Sequence, residues 1–177
     1  MHSEPANEEA LWRERASQGD ALALGRIYDA YAARIFRYMY RRLGDRQLAE
    51  DLTGDVFVRL VEAGGTPRFC QGSLAPWIYR LAHNRLVDHF RRHHELPLPE
   101  DIELAGEEDS RAGIHRSELR VALRTLTPDQ QQVIALKFFE GLSNGEIAAA
   151  LDKPEGAVKS LQHRALENLR RHLQPDD

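Results

Sequence analysis

At 177 residues the chain has room for one medium domain or two small ones, and a formal net charge of −4 gives no sign of a polyanionic partner by itself. Cys70 is the only cysteine, so an intrachain disulfide is excluded and a reducing compartment is expected. No apolar run approaches the ~20 residues a bilayer span needs, and Met1-His2-Ser3-Glu4-Pro5 does not read as a signal peptide; a soluble, cytoplasmic protein is expected.

Helical periodicity dominates and nothing reads as strand. Glu8 to Ser17 is a short helix broken by Gly19-Asp20. Ala21 to Leu43 is a long one, with Leu24, Ile27, Tyr28, Tyr31, Ile35, Tyr38 and Met39 on a 3-4 stripe. Gly44 is a stop signal there, and Arg41-Arg42 sit where the helix dipole favours cations. Arg46 to Ala63 follows, through Leu48, Leu52, Val56 and Leu60, and ends at Gly64-Gly65. Residues 64–75 read as a loop, and a fourth helix runs from near Pro76 to about Arg92. Residues 93–116 carry 2 Lys+Arg against 7 Asp+Glu and include Pro97, Pro99 and Gly106, which predicts a flexible acidic linker. Helix then resumes over 117–125, followed by Thr127 as N-cap with Pro128 behind it and a helix reaching Glu140, stopped by Gly141. The fold expected is all-α: two small helical domains, 1–92 and 117–177, joined by that linker.

The end of the chain is the most specific. Ser143 and Glu146 have the spacing of a capping box, and Ile147, Ala148 and Leu151 give the helix begun there one apolar face. Asp152-Lys153 is a turn, and Pro154 fits the first position of a second helix. At about 100° per residue, Leu161, Ala165 and Leu169 fall within roughly 60° of Val158. Lys159, Ser160, His163 and Arg164 lie on the opposite side, and Arg170 and Arg171 extend that polar face. This is the pattern of a helix-turn-helix, whose second helix enters the DNA major groove, with Leu161 on the packing side and Gln162 at its border.

Three blocks in order carry a family resemblance over nearly the whole chain, from about Glu8 to Leu173. They are Gly19-Asp20 through Leu48-Ala49-Glu50-Asp51-Leu52-Thr53-Gly54-Asp55-Val56-Phe57-Val58-Arg59, then Pro76-Trp77-Ile78 through Asn84-Arg85-Leu86-Val87-Asp88-His89-Phe90-Arg91-Arg92, then Leu126-Thr127-Pro128 with the helix-turn-helix. The chain resembles bacterial RNA polymerase sigma factors of the extracytoplasmic-function group. The resemblance implies a non-enzymatic initiation factor that binds core polymerase, recognises −35 and −10 promoter elements and helps melt the DNA. Implied partners are core RNA polymerase (its β′ clamp coiled coil and β flap), promoter DNA and an anti-sigma factor. It implies no cofactor and no metal, no membrane insertion and a cytoplasmic, nucleoid-associated location.

Each block then has an implied role. Glu50, Asp51, Asp55, Phe57 and Arg59 match the segment that docks on the β′ coiled coil, where a carboxylate row suits a basic partner helix. The family usually has Gln-Glu where Gly54-Asp55 stand, and a mid-helix glycine costs roughly 1 kcal/mol relative to alanine. In the second block Asn84 is the base reader at −10, supported by Asp88, with Arg80, Arg85, Arg91 and Arg92 for the phosphates. The loop Arg68 to Leu74, with Phe69, sits where the family forms its base pocket, and Trp77 is assigned to the core. In the third, Lys159, Ser160, His163 and Arg164 occupy the −35 reading positions, although the family's Lys-Ser-Arg-Leu is here Lys159-Ser160-Leu161-Gln162. The acidic linker (Glu100, Asp101, Glu103, Glu107, Glu108, Asp109) matches the family's connector near the polymerase active centre.

Two other readings stay open at this level. A helix-turn-helix regulator acting without core polymerase explains the third block but not Asn84 to Arg92. A metal site would use His89 and His93, at helical i, i+4 spacing, with His94 and Cys70, yet no H-E-x-x-H or paired-cysteine motif is present.

Overall fold

The computed structural model describes residues 5–63, 73–93 and 118–173, all helix and short turns, with side chains from Glu8 onward. The first domain contains α1 (Pro5–Ser17), α2 (Ala21–Leu43), α3 (Arg46–Ala63) and α4 (Leu74–His93). The second contains α5 (118–124), α6 (Pro128–Ile134), α7 (Asn144–Leu151) and α8 (Glu155–Leu173). The acidic segment 94–116 and the loop 64–72 lie outside the described residues.

Local chemistry explains the boundaries. Asp20 caps α2 by accepting from the Leu22 and Ala23 N–H groups at 2.9 and 3.3 Å, and it pairs with Arg15 at 2.7 Å. Gly44 ends α2 in the left-handed region at φ 67°, donating its N–H to the Tyr40 carbonyl. The fourth helix starts at Leu74, two residues before the expected Pro76, because Glu9 of α1 accepts the Leu74 N–H at 3.1 Å. A proline is tolerated in that first turn, where its missing N–H has no intrahelical partner anyway. At its other end α4 includes His93, which the sequence assigned to the linker.

Thr127 caps α6 as expected, and Gln130 completes a capping box with the Thr127 N–H at 3.0 Å. The helix does not continue as α to Glu140. Ala135–Phe139 form a π-turn, closed by the Glu140 N–H on the Ala135 carbonyl, and Gly141 leaves it at φ 73°. A π-turn inserts one residue into the helical repeat and changes which side the following residue faces. Here Glu140 is turned inward and buried.

The first domain packs α2, α3 and α4 around Ile27, Ile35, Met39, Val56, Leu60 and Ile78, all 2% exposed or less. The second has a small cluster of its own: Ala122, Leu123, Leu126, Ile134, Ala165 and Leu169. Its other face joins the first core, because Val133, Leu136, Ile147, Ala150 and Leu151 belong to the same buried cluster as Tyr38, Tyr79, Ala82 and Leu86. The two domains are packed together, with α7 lying against α4.

Gly54 sits mid-α3 at an exposed position, and a Cβ there would meet nothing within 4 Å. Gly54→Ala is therefore expected to stabilise the fold by about 1 kcal/mol, read as a rise of about 2–4 °C in the thermal midpoint. An unchanged or lower midpoint would show that the glycine is needed for packing.

Candidate nucleic-acid interface

The helix-turn-helix forms as its residues dictate. Ser143 Oγ accepts the Glu146 N–H at 3.2 Å, and Glu146 Oε2 accepts the Ser143 N–H at 2.8 Å. Helix α7 ends at Asp152 in the left-handed region, φ 54°, a conformation aspartate adopts more readily than most residues. The next helix begins at Glu155, so Pro154 precedes it as the cap, its carbonyl accepting the Val158 N–H at 3.1 Å, rather than filling the first helical position. Val158, Ala165 and Leu169 of α8 are buried, and Leu161 packs partly buried against the core. Opposite them Lys159, Ser160, His163 and Arg164 are all exposed, while Gln162 is half-buried at the edge. Lys159 pairs with Glu155 at 2.9 Å, His163 lies 3.6 Å from Glu167, and Arg164 Nε donates to the Ser160 carbonyl at 3.3 Å. Surface pairs of this kind contribute ~0–1 kcal/mol each, little enough to be exchanged for phosphates or base edges.

On α4, Asn84 and Arg92 are exposed, and Arg91 pairs with Asp88 at 3.2 Å. Arg80 lies 3.9 Å from Asp152, the turn residue of the helix-turn-helix. Arg85 is half-buried and forms an ion pair with Asp55 of α3. Two residues assigned to different partners are thus bound to each other. Trp77 packs partly buried against the core. Phe69, with the rest of its loop, lies outside the described residues, as do Cys70 and His94. The His89 and His93 rings lie 4.5 Å apart, and the described residues contain no group of three potential metal ligands.

On α3, Glu50 and Asp51 are exposed and form i, i+4 contacts with Arg46 and Gln47; Arg59 is exposed as well. Beside this row runs a groove between α2 and α3 lined by Tyr28, Phe36, Arg46, Glu50 and Gly54. Phe57 corrects the sequence reading. It is buried, with its ring edge-on to Tyr28 at 4.8 Å, so it belongs to the core and not to the docking face. Because α3 packs against both α2 and α4, its buried arc is wide enough to take Phe57 together with Val56.

A polar cluster joins the two domains. The Glu140 side chain is 2% exposed; Oε1 accepts from Arg41 Nη1 at 2.8 Å, Oε2 accepts from the Tyr79 hydroxyl, and Arg34 lies 3.8 Å away. The Glu140 carbonyl also accepts from Arg34 Nη2 at 2.9 Å. Burial, and next the Glu140 carboxylate, push the Tyr79 phenol above its ordinary range. Nearby, Gln132 Nε2 donates to the Tyr38 hydroxyl at 2.6 Å and meets His83 Nδ1.

Burial, and then the Arg42 cation, hold His83 neutral and bring its pKa down to about 4. Unfolded, the imidazole titrates near 6.5, so between these values the unfolded chain binds a proton that the folded chain refuses. The resulting stability is present above about pH 6.5 and is lost as pH falls toward 4. The thermal midpoint should therefore drop more between pH 7 and pH 4.5 in the native chain than in His83→Gln; parallel curves would contradict this.

Comparison with known proteins follows the same geometry. The Sigma-70 region 2 model matches residues 27–95, covering most of α2 through α4, and the Sigma-70 region 4 model matches residues 122–171, from the end of α5 through most of α8. The chain is 30% identical over 183 residues to the ECF RNA polymerase sigma factor SigW of Bacillus subtilis, covering 90% of this chain and 94% of that one. It belongs to the extracytoplasmic-function sigma factors. It is also 37% identical over 172 residues to the ECF RNA polymerase sigma factor BldN of Streptomyces coelicolor, spanning 93% of this chain and 65% of the relative's length. Among solved structures, CnrH in complex with the cytosolic domain of CnrY shares the fold, with a TM-score of 0.70 at 21% identity, covering 96% of this chain and 99% of that one.

In this sigma factor the −35 and −10 candidates occupy two different helices, α8 and α4, and α4 meets the turn that precedes α8 at Arg80 and Asp152. Sequence reasoning missed the cluster formed by buried Glu140, Gln132 and Tyr79 with half-buried Arg34 and Arg41. The one local signal was the pair Gln131-Gln132 leading an apolar run, Val133 to Leu136. Both glutamines are buried, and Gln131 Nε2 donates to the Leu123 and Leu126 carbonyls at 3.0 and 3.3 Å.

Proposed function

We propose that this sigma factor binds core RNA polymerase through its first domain and directs initiation at promoters whose −35 element is read by α8 and whose −10 element is opened on α4. The observation that carries the reading is the pair of cation-bearing faces on one chain: exposed Lys159, Ser160, His163 and Arg164 on α8, and half-buried Arg80 with exposed Asn84, Arg91 and Arg92 on α4. Arginines and lysines supply phosphate contacts, and asparagine can pair bidentately with an adenine edge. Asp88 supports Asn84 from the same helix, and Arg85 would join the phosphate contacts only after leaving Asp55.

Core polymerase docks on the Glu50-Asp51 row and the groove beside it, with Arg59 at its far end. Carboxylates there steer a basic helix of the β′ clamp and fix its register. The domains act as units at 1–92 and 117–177, with 93–116 as connector. The chain itself performs no bond chemistry; phosphodiester formation belongs to the polymerase. Its place is the cytoplasm, on the nucleoid. No helix among the described residues is long and apolar enough to cross a membrane. CnrH is held by the cytosolic domain of CnrY, and an anti-sigma factor covering α3 and α4 is the corresponding partner here.

Gel-shift titration with a promoter duplex, with and without core polymerase, tests the reading. Specific binding that appears only with core is expected. Equally tight and specific binding by the chain alone would favour a duplex-binding regulator.

A further inference from the structure

The two arginines that end α2 have different surroundings. Arg41 reaches the Glu140 carboxylate at 2.8 Å. Arg42, about 100° further round the helix, is 9% exposed and is the only buried cation among the described residues. Its Nε and Nη1 have no hydrogen-bond partner. Burial pulls its pKa below the ordinary arginine value, yet a guanidinium stays charged at neutral pH. A buried charge in this state is strongly unfavourable unless an acceptor reaches it. Neither the docking face nor the promoter-reading faces use Arg42.

Arg42 lines a cleft of about 450 Å³. His83, Leu86, Val87 and Phe90 enter it from one face of α4, at i, i+3, i+4 and i+7. Pro128 of α6 and Leu151 of α7 add apolar surface from the second domain. Small-molecule sites have this size and this make-up, a mostly apolar wall with a few polar groups, often where domains meet. The charges of the wall decide what kind of molecule fits. Lys153 pairs with Asp129 at 3.1 Å, and Arg91 pairs with Asp88 at 3.2 Å. His83 is held neutral by burial and then by Arg42 itself. That leaves one guanidinium with donors to spare, enough for one singly charged head. A polyphosphate would need several free cations, and a neutral ligand would leave Arg42 as it is.

We propose that this cleft is a binding site for a small amphiphilic carboxylate. The carboxylate accepts from the Arg42 guanidinium in a charge-assisted pair. The acyl or aryl body lies on Leu86, Val87, Phe90 and Leu151. Binding there does not depend on the sigma-factor reading of the chain.

Calorimetric titration of the full chain with 2-naphthoate and with octanoate tests the proposal. The neutral analogue 2-naphthalenemethanol and inorganic phosphate serve as comparisons. A carboxylate should bind saturably with a Kd below about 1 mM and raise the thermal midpoint. Whether naphthoate or octanoate binds better distinguishes a planar body from a chain, and either one supports the site. The alcohol should bind on the order of tenfold more weakly, since it offers no charged acceptor. In Arg42→Met the naphthoate affinity should fall to that of the alcohol, while the thermal midpoint of the free variant should not drop, because an apolar side chain replaces a buried charge. Val87 is 46% exposed, so Val87→Trp can fill the cleft without disturbing the core. It should abolish binding at an unchanged midpoint, which keeps the test decisive if Arg42→Met folds poorly. Resonances of His83, Val87 and Phe90 should shift with naphthoate and place it in the cleft. No saturable binding to the native chain, or carboxylate binding that survives both variants, would overturn the site. Phosphate binding as tightly as naphthoate would also overturn it, since the apolar wall would then contribute nothing.

Discussion

Reversing one charge on α3, Asp51→Arg, is expected to weaken binding to core polymerase at least thirtyfold while leaving the thermal midpoint unchanged. Asp51 is exposed, and its one hydrogen bond, accepted from Gln47 Nε2 at 3.1 Å, is a surface contact that the fold can lose at little cost. Opposite a basic partner helix, an arginine removes an attraction and adds a repulsion. A loss of about 2 kcal/mol corresponds to thirtyfold in Kd, and like-charge juxtaposition at an interface reaches several. The adjacent Glu50→Arg should behave in the same way. Arg59→Ala, without charge reversal, should cost less. Titration of labelled chain with core polymerase reads the effect, and native-like affinity for Asp51→Arg would remove α3 from the docking face.

The second large effect is expected on α8. Arg164 is exposed, with one long hydrogen bond to its own helix, so its guanidinium can turn outward to a base edge. If it reads a base, Arg164→Ala should cost about 1–3 kcal/mol of promoter binding and relax selectivity at one −35 position. Lys159→Ala should instead weaken all sequences nearly equally and lower the salt dependence of binding by about one counterion, the signature of a phosphate contact. Binding measured on a panel of single-base −35 variants at several salt concentrations separates the two. Equal loss on every sequence for Arg164→Ala would reassign it to the backbone.

Much of the fold was legible because the signals are local. Gly44 after a basic turn, Thr127-Pro128 and the Ser143/Glu146 box each act within four residues, and the structure forms them as read. The helical wheel also separated Val158, Ala165 and Leu169 from Lys159, Ser160, His163 and Arg164, since one buried stripe on a 3.6-residue repeat fixes the opposite face. What failed was set at long range. Leu74 opens α4 because Glu9 of another helix accepts its N–H, and Phe57 is buried because α3 is packed from two sides. The π-turn at Ala135–Phe139 leaves no sequence mark, yet the residue after it forms the contact between the domains. Arg41 and Glu140 lie 99 positions apart. At that separation periodicity carries no information, so the dipole reading of Arg41 described its own helix correctly and missed its partner.

The central claim is that this chain gives core polymerase its promoter choice. The most direct measurement is in vitro transcription of fragmented genomic DNA by core polymerase, with and without the chain, mapping the 5′ ends of the transcripts. Discrete starts that require the chain, with shared sequence blocks near −35 and −10, are the expected result. Starts unaffected by the chain, or chain-dependent starts with no common upstream sequence, would contradict it.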